Sequence, residues 1–522
     1  MRVLVVDAAG ARAADSAAIA AGIPSRALMQ RAGASAAAEI VRHFPDVIGA
    51  GAGVVVAAGA GNNGGDGGGV AAALHAAGVR VRVVECLAAR TPDARAERAA
   101  AIASGVLHGV DIDSLLNGSE RIAIDALLGT GLRVDAPLEG AAAKAVATLI
   151  ARRLLDGASI VALDVPSGMD ATTGHDVGAL RCALTLAFGT LKRCHVVSRG
   201  GCGHIVALDI GLGSHASIAT TGGATLATPE WFRRALPLID ASAHKGTRGK
   251  IAIVGGAPGM AGAVILAARA ALRSGAGLVK CVVAPESVQA VQEAEPAALV
   301  TPWPDDDDAV RREITDWADA VLAGPGLGHA IARTLVERLL RQFDGAVVLD
   351  ADALNAFAGE ADRLAPLLGT REAMLTPHPA ELARLIDRTV DEVLLERFTL
   401  VPALARRTGA VVLSKGVPTL VAAPDGAVTV VAEGTPILAT GGSGDMLGGI
   451  AVTLLAQTGN AALAAALAAF AHGRAAHLVS ARDVRGYTLD DVLRALPVVW
   501  SLPVPAPRPP VLAELPAVGE SS

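Results

Sequence analysis

Short Val-rich runs alternate with Ala-rich stretches of helical period along most of this chain, which restricts it to βα units wound around a mainly parallel sheet. VVVAA (Val54 to Ala58), VRVRVVE (Val79 to Glu85), RIAID (Arg121 to Asp125) and SIVALD (Ser159 to Asp164) are strands of the first half, each ending at a Gly-rich or acidic loop. The alternation fades through Gly211 to Glu230, where Gly, Ser, Thr and Ala dominate and charge nearly vanishes, and restarts with KIAIVGG at Lys250. A linker is expected there. GLVKCVV, DAVLAGPG, AVVLDAD, AMLTPHP and AVVLSKG repeat the grammar in the second half. A chain of 522 residues, at ~100–200 per domain, therefore holds two domains of α/β class. The closing PVPAPRPPVLAELPAVGESS is Pro-rich and aperiodic, and a disordered tail is expected.

Lys+Arg 45 against Asp+Glu 51 leaves a net charge of −6, without the basic footprint that nucleic acid or anionic lipid would need. Aromatic residues are only 2%, which removes base-stacking platforms and leaves Ala, Val and Leu to fill the core. MRVLVVDAAGARAAD has no long apolar region followed by a cleavage site, and the Ala-rich stretch from Gly459 to His472 reads as a buried helix. Five Cys (Cys86, Cys182, Cys194, Cys202, Cys281) are an odd, scattered set that suits a reducing compartment, so a cytoplasmic location is expected.

GAGNNGGDGG follows a strand and precedes the helical GVAAALHAAG. Its Gly59, Gly61 and Gly64 satisfy G-x-G-x-x-G, with Glu85 closing the next strand. That pattern alone spells a dinucleotide-binding dehydrogenase, but Asn62, Asn63 and Asp66 add amide and carboxylate groups that can serve a cation as well as a phosphate. Asp125 followed by LLGTGL, and Asp164 followed by VPSGMD, end two more strands on the same sheet edge. Cys194, His195, Cys202 and His204 lack a recognised zinc spacing, and their flanks VVSRGG and IVALD read as strands.

In the second half, ATGGSGDMLGG places Gly441, Gly442 and Gly444 before Asp445 at a helix start. Unpaired N–H groups there can face a transferring phosphate while the carboxylate takes a proton from a hydroxyl. KGVPT (Lys415 to Thr419), TPHPAE with His378 and GPGLG (Gly324 to Gly328) stand at further strand ends. The acidic run Asp305 to Asp308 reads as a solvated helix start.

GAGNNGGDGG, DALLGTGL, LDVPSGMD and AFGTLKRCHV…GHIVALDIGLG occur in the order of the YjeF N-terminal family, the epimerase for hydrated NAD(P)H (NAD(P)HX), and the early LMQRAG resembles that family's helix. HKGTRGKIAIVGGAPGMAGA, AGPGLG, LDADALN, LTPHPAE, SKGVPT and GGSGD run in the order of the YjeF C-terminal family, the ADP- or ATP-dependent NAD(P)HX dehydratase of ribokinase-like fold. The resemblance implies a Rossmann-like three-layer α/β/α domain over 1–215, a ribokinase-like domain over 226–505 and a tail over 506–522. It implies that Asn62, Asn63, Gly64, Gly65, Asp66, Gly129, Thr130, Gly131, Leu132, Arg133, Val134 and Asp135 hold the dinucleotide, and that Asp164 is the acid/base. Asn63, Asp125 and Ser167 would hold K⁺. In the second domain, Ala263, Gly326, His378 and Asp445 would contact the hydrated dinucleotide. Lys415, Gly416, Val417, Pro418, Thr419 and Gly444 would contact ADP, with Mg²⁺ carried in by the nucleotide. The implied protein is a homo-oligomeric repair enzyme acting on NAD(P)HX and ADP, with no nucleic-acid or membrane partner. The alternatives are an NAD-dependent dehydrogenase and a ribokinase-like small-molecule kinase.

Overall fold

The computed structural model describes residues 2–116, 118–132, 138–219, 223–480, 484–504 and 506–518. The chain divides into two compact units, Met1–Thr225 with Ala506–Glu520, and Leu226–Pro505. Every strand read from the Val-rich runs is present, because strands buried on both faces show as continuous apolar runs.

The first unit is built on an eight-stranded sheet. Its order is Val511–Leu515, His204–Leu208, Leu184–Phe188, Ser159–Leu163, Ile122–Ala126, Val54–Ala58, Val81–Glu85 and Leu107–Gly109. All neighbours are parallel except the first pair. Alternate residues of Val54–Ala58 feed two cores. Val54 and Val56 pack with Leu28, Ile40, Val70 and Leu74 on one face, while Val55 and Ala57 pack with Leu115, Ala145 and Leu149 on the other. The helices Ser25–His43 and Asn62–Ala76 thus cover one face and Gly140–Asp156 the other, giving three layers.

Three local expectations are corrected. NNGGDGGG is not a loop: it forms the first turns of the Asn62–Ala76 helix, capped by Gly61. Glycine lowers helix propensity, but here it permits a close approach, since a Cβ on Gly33 would come 2.9 Å from the carbonyl carbon of Gly69 on the facing helix. VVSRGG is helical rather than extended, within Arg193–Val197 and Arg199–Cys202. The expected linker carries the helix Ser214–Ala219 and the strand Ala224–Leu226, whose Ala224 and Thr225 pair with Val5 and Leu4.

The Pro-rich tail also differs from expectation. Val511–Leu515 is a strand running antiparallel to His204–Leu208, with a register shift between Val511 and Ala513. Proline is tolerated because all of Arg508's neighbouring prolines precede the ladder, and an edge strand donates on one side only. Arg508 pairs with Glu39 and Glu514, and Arg42 with Glu514 at 2.8 Å, so charged side chains fasten the segment.

The second unit contains Leu299–Pro302, Leu278–Val283, Lys250–Val254, Ala320–Ala323, Ala346–Leu349, Ala373–Leu375 and Val411–Ser414 as parallel neighbours, followed by the antiparallel Thr419–Ala422 and Val428–Val431. Small side chains let its helices pack closely. A Cβ on Gly449, in Ser443–Thr458, would lie 2.1 Å from the carbonyl oxygen of Ala267 in Ala261–Arg273. Ala461–Val479 is long and apolar enough to cross a membrane, yet most of it is buried in this core, as the sequence reading expects.

Candidate active sites

In a parallel sheet the carboxyl ends of the strands share one edge, and ligands bind there. In the first unit that edge opens into a cavity of about 630 Å³ bordered by Asn62, Asn63, Asp66, Gly129, Thr130, Gly131, Leu132 and Asp164. Gly64 and Gly65 are turned to packing instead, with Cβ positions 2.0 Å from the Gly59 oxygen and 2.6 Å from the Met29 sulfur. Arg133, Val134 and Asp135 lie outside the described residues.

Asp164 follows the strand Ser159–Leu163 and adopts a left-handed backbone, φ 63°, that a residue with a Cβ takes only when its surroundings impose it. Its Oδ1 accepts the Phe188 N–H at 3.1 Å and is ion-paired with Lys192. The buried Lys192 ammonium also donates to the carbonyls of Phe188 at 3.0 Å and Thr190 at 3.1 Å. His195 Nδ1 accepts the Lys192 N–H at 3.1 Å, so its Nε2 carries the proton and donates to the Asp164 carbonyl at 2.7 Å. Burial and the Lys192 charge push His195 down to about 4, which keeps the imidazole neutral. Burial, then the Asp164 charge, holds the Asp66 carboxyl well above the usual range; Asp15, on the cavity wall, is raised mainly by burial.

Beneath the cavity floor, Asn63, Asp125 and Ser167 are brought together. Asp125 is wholly buried and accepts the Ser167 N–H and hydroxyl, each at 2.7 Å, and the Leu127 N–H at 3.2 Å. Burial raises its carboxyl to about 6. Asn63 Nδ2 donates to the Leu128 carbonyl at 2.8 Å, whereas its Oδ1 is buried without a hydrogen-bond partner. The Leu128 N–H donates to the same Ser167 hydroxyl at 3.0 Å, so one residue ties Asn63 to the Ser167–Asp125 pair, and an orphaned amide oxygen with a buried carboxylate and a hydroxyl is a donor set suited to a hard cation.

The second site lies where Ser443–Thr458 begins. Gly442 caps that helix at φ 91° and Asp445 stands in its first turn. Lys415 follows the strand Val411–Ser414 and donates to Asp350 Oδ1 at 2.7 Å, with Glu381 Oε2 at 3.6 Å. A Cβ on Gly444 would meet the Lys415 Nζ at 3.2 Å, so the ammonium sits against the Gly-rich turn. Burial would lower the Lys415 pKa, but Asp350 and Glu381 outweigh it and the net shift is upward. Asp445 is pushed up to about 7 by burial and by the Asp350 charge.

His378 caps the helix Pro379–Ile386. Its backbone N–H donates to Glu381 Oε2 at 2.8 Å, and burial with the Lys415 charge lowers its pKa. His378 and Lys415 are thereby joined through Glu381, and the Asp350, Lys415 and Glu381 charges act on Asp445. Ala263 and Gly326 also meet, the Gly326 Cβ position being 3.2 Å from the Ala263 Cβ. In KGVPT, Gly416 has φ 150°, the Val417–Pro418 bond is cis, and the Thr419 hydroxyl donates to the Gly416 carbonyl at 3.1 Å. Behind the turn, His472 Nε2 lies 3.4 Å from the Ser443 hydroxyl and is pushed to about 4 by burial. Asp306, in the acidic run, caps a helix through the Ala309 N–H at 2.7 Å.

The sequence reading did not single out Lys192, Asp15, Asp350 or Glu381, and it weighed His195 only as a metal ligand. A signal existed for two of them: Lys192 closely follows the strand Leu184–Phe188 and Asp350 directly follows Ala346–Leu349, the rule that already selected Asp125 and Asp164.

Fold and sites define an α/β enzyme with two chemically separate centres, each at the carboxyl edge of a parallel sheet. The family model for the YjeF-related protein N-terminus matches residues 25–194, and that for NAD(P)H-hydrate dehydratase matches 251–498. A bifunctional NAD(P)H-hydrate repair enzyme of Moorella thermoacetica is 35% identical over 502 residues, covering 91% of this chain and 92% of that one. The ADP-dependent (S)-NAD(P)H-hydrate dehydratase of Neisseria meningitidis is 41% identical over 242 residues, 45% of this chain and 79% of its own. A crystal structure of the Bacillus subtilis ADP/ATP-dependent NAD(P)H-hydrate dehydratase, co-crystallised with ATP/Mg²⁺, is similar with TM-score 0.46 and 28% identity, covering 52% of this chain and 96% of that one. The chain belongs to the family of bifunctional NAD(P)H-hydrate repair enzymes.

Proposed function

We propose that the first unit interconverts the R and S forms of NAD(P)HX, and that the second dehydrates the S form at the expense of ADP, giving AMP and phosphate. The observation that carries this reading is the presence of both centres in one chain that aligns along 92% of the Moorella bifunctional repair enzyme.

In the first unit, Asn62, Asn63, Asp66 and the Gly129 to Leu132 turn cradle the dinucleotide, and Asp164 serves as acid/base for inversion at the hydroxyl-bearing ring carbon. An ionised carboxylate there also favours an iminium-like intermediate. Asn63, Asp125 and Ser167 would hold K⁺, a fixed positive charge under the cradle. In the second unit, Ala263, Gly326 and His378 position the hydrated ring. Asp445 takes the proton of the ring hydroxyl as phosphate is transferred to it, and loss of phosphate regenerates NAD(P)H. The Gly416 to Thr419 segment and Gly444 contact ADP, which brings Mg²⁺ with it, while Lys415 presents its charge to the transferring phosphate.

The test is recovery of NADH absorbance from both epimers of hydrated NADH with the full chain, K⁺, Mg²⁺ and ADP or ATP. Complete recovery with ADP is expected. Recovery that stops once the S form is consumed would remove the epimerase assignment, and no recovery with either nucleotide would remove the dehydratase.

A further inference from the structure

Epimerisation in either direction needs one group that gives a proton and one that takes it. In the first unit's cavity Asp164 is already ion-paired with Lys192 and enters as the carboxylate. Lys192 is not the donor, because its ammonium is committed to Asp164 and the carbonyls of Phe188 and Thr190. His195 is not the donor either, since both ring nitrogens are engaged. Of the remaining cavity carboxyls Asp93 accepts the Ser25 hydroxyl at 2.6 Å, and Asp66 and Asp15 are left. Both stand on the cavity wall, and Asp66 is the more shielded from solvent of the two.

Asp66 belongs to the helix that follows the strand Val54–Ala58, and Asp164 follows Ser159–Leu163; one strand, Ile122–Ala126, runs between them. Both side chains border the same cavity of about 630 Å³, reaching it from different elements of the sheet edge. We infer that Asp66 is a second catalytic residue of the epimerase, the acid that works opposite the Asp164 base on the two faces of the hydrated ring. The inference rests on the epimerase reading of this unit. It agrees with the elementary electrostatics of two carboxyls in one cavity, where the partner without a cation keeps its proton. The charged groups facing Asp66 are Asp164, Asp15, Lys192 and Glu97, and burial with the Asp164 charge leads them in favouring the protonated form.

In the R-to-S direction Asp66 gives its proton to the ring hydroxyl. The C–O bond breaks, water leaves, and the ring nitrogen lone pair forms the C=N of the iminium. Water then forms a new C–O bond on the opposite face and gives its surplus proton to Asp164. One water is released and one consumed, nothing is oxidised or reduced, and one proton has passed from Asp66 to Asp164, to be returned through water in the open cavity. The S-to-R direction exchanges the two roles.

The experiment supplies the R epimer of hydrated NADH to the full chain with K⁺, Mg²⁺ and ADP, and reads NADH formation. Wild type that dehydrates the S form but leaves the R form untouched overturns the epimerase reading itself, before any variant is made. Given an active wild type, Asp66→Asn is expected to lower kcat on the R epimer by about 100-fold or more, with KM within about threefold. Asp66→Glu, which restores a transferable proton, should recover about tenfold of that loss. Turnover of the R form by Asp66→Asn near the wild-type rate, a rise in KM alone, no rescue by Asp66→Glu, or the same loss confined to Asp15→Asn would each overturn the assignment.

Discussion

Asp445 is useful to a dehydratase only without its proton, and burial beside Asp350 lifts its carboxyl to about 7. Dehydration should therefore fall on the acid side of about pH 7. Asp445→Asn should lose about 10²–10⁴-fold in kcat, read from NADH formation on the S epimer. Asp350→Asn removes the neighbouring charge and should move the acidic limb to lower pH. The sign for stability runs the other way. The folded chain holds the Asp445 proton between the ordinary carboxylate range and about 7 while the unfolded chain has released it, so stability is lost as pH rises through that window. Asp445→Asn should accordingly raise the melting temperature at pH 8 and leave it unchanged near pH 4. At the other centre, the partnerless Asn63 oxygen predicts that KCl raises the melting temperature more than NaCl does, and that Asn63→Ala abolishes the difference. Asp445 and Asn63 were legible in the sequence because each sits in a distinctive local pattern. Lys192 and Asp350 carried only the strand-end position, because their roles come from partners 28 and 65 residues away, Asp164 and Lys415.

At the scale of elements, the Asn62–Ala76 helix separates what a Gly-rich pattern says from what it does. A Cβ at Gly64 would stand 2.0 Å from the Gly59 carbonyl oxygen, whereas one at Gly61 meets nothing within 4 Å and its backbone φ is −94°. Gly64→Ala should destabilise the first unit by about 1–3 kcal/mol or more, and Gly61→Ala by at most about 0.5 kcal/mol, measured by chemical denaturation. The strands were legible because burial on both faces leaves an unbroken Val-rich run. The helix start was misread as a loop because propensity penalises glycine, while a neighbouring helix approaching within contact distance rewards the absence of a side chain. The Ala-rich Ala461–Val479 shows the converse: composition alone would admit a membrane span, and the polar interruptions, His472 among them, correctly marked a core helix.

For the molecule as a whole, the tail was the least legible segment. Its prolines and a register shift hide the four residues that pair, and its partners, Glu39 and Arg42, lie hundreds of positions away. Burial would raise the Glu39 carboxyl, but Arg508 and Arg42 outweigh it and hold it low, so this contribution to stability is present above the ordinary carboxylate range and is lost on acidification. Deleting the chain from residue 506 removes Arg508 and bares the edge of His204–Leu208. The first unit should then melt several degrees lower and aggregate more readily, with the second unit's transition unchanged in calorimetry. The same strand sets a schedule for biosynthesis. The polypeptide that leaves the ribosome first cannot complete its own sheet, because the strand that covers its open edge is translated after the whole second unit. At ~5–20 residues per second the nascent first unit waits on the order of tens of seconds with that edge uncovered, and chaperone occupancy during synthesis should concentrate on it.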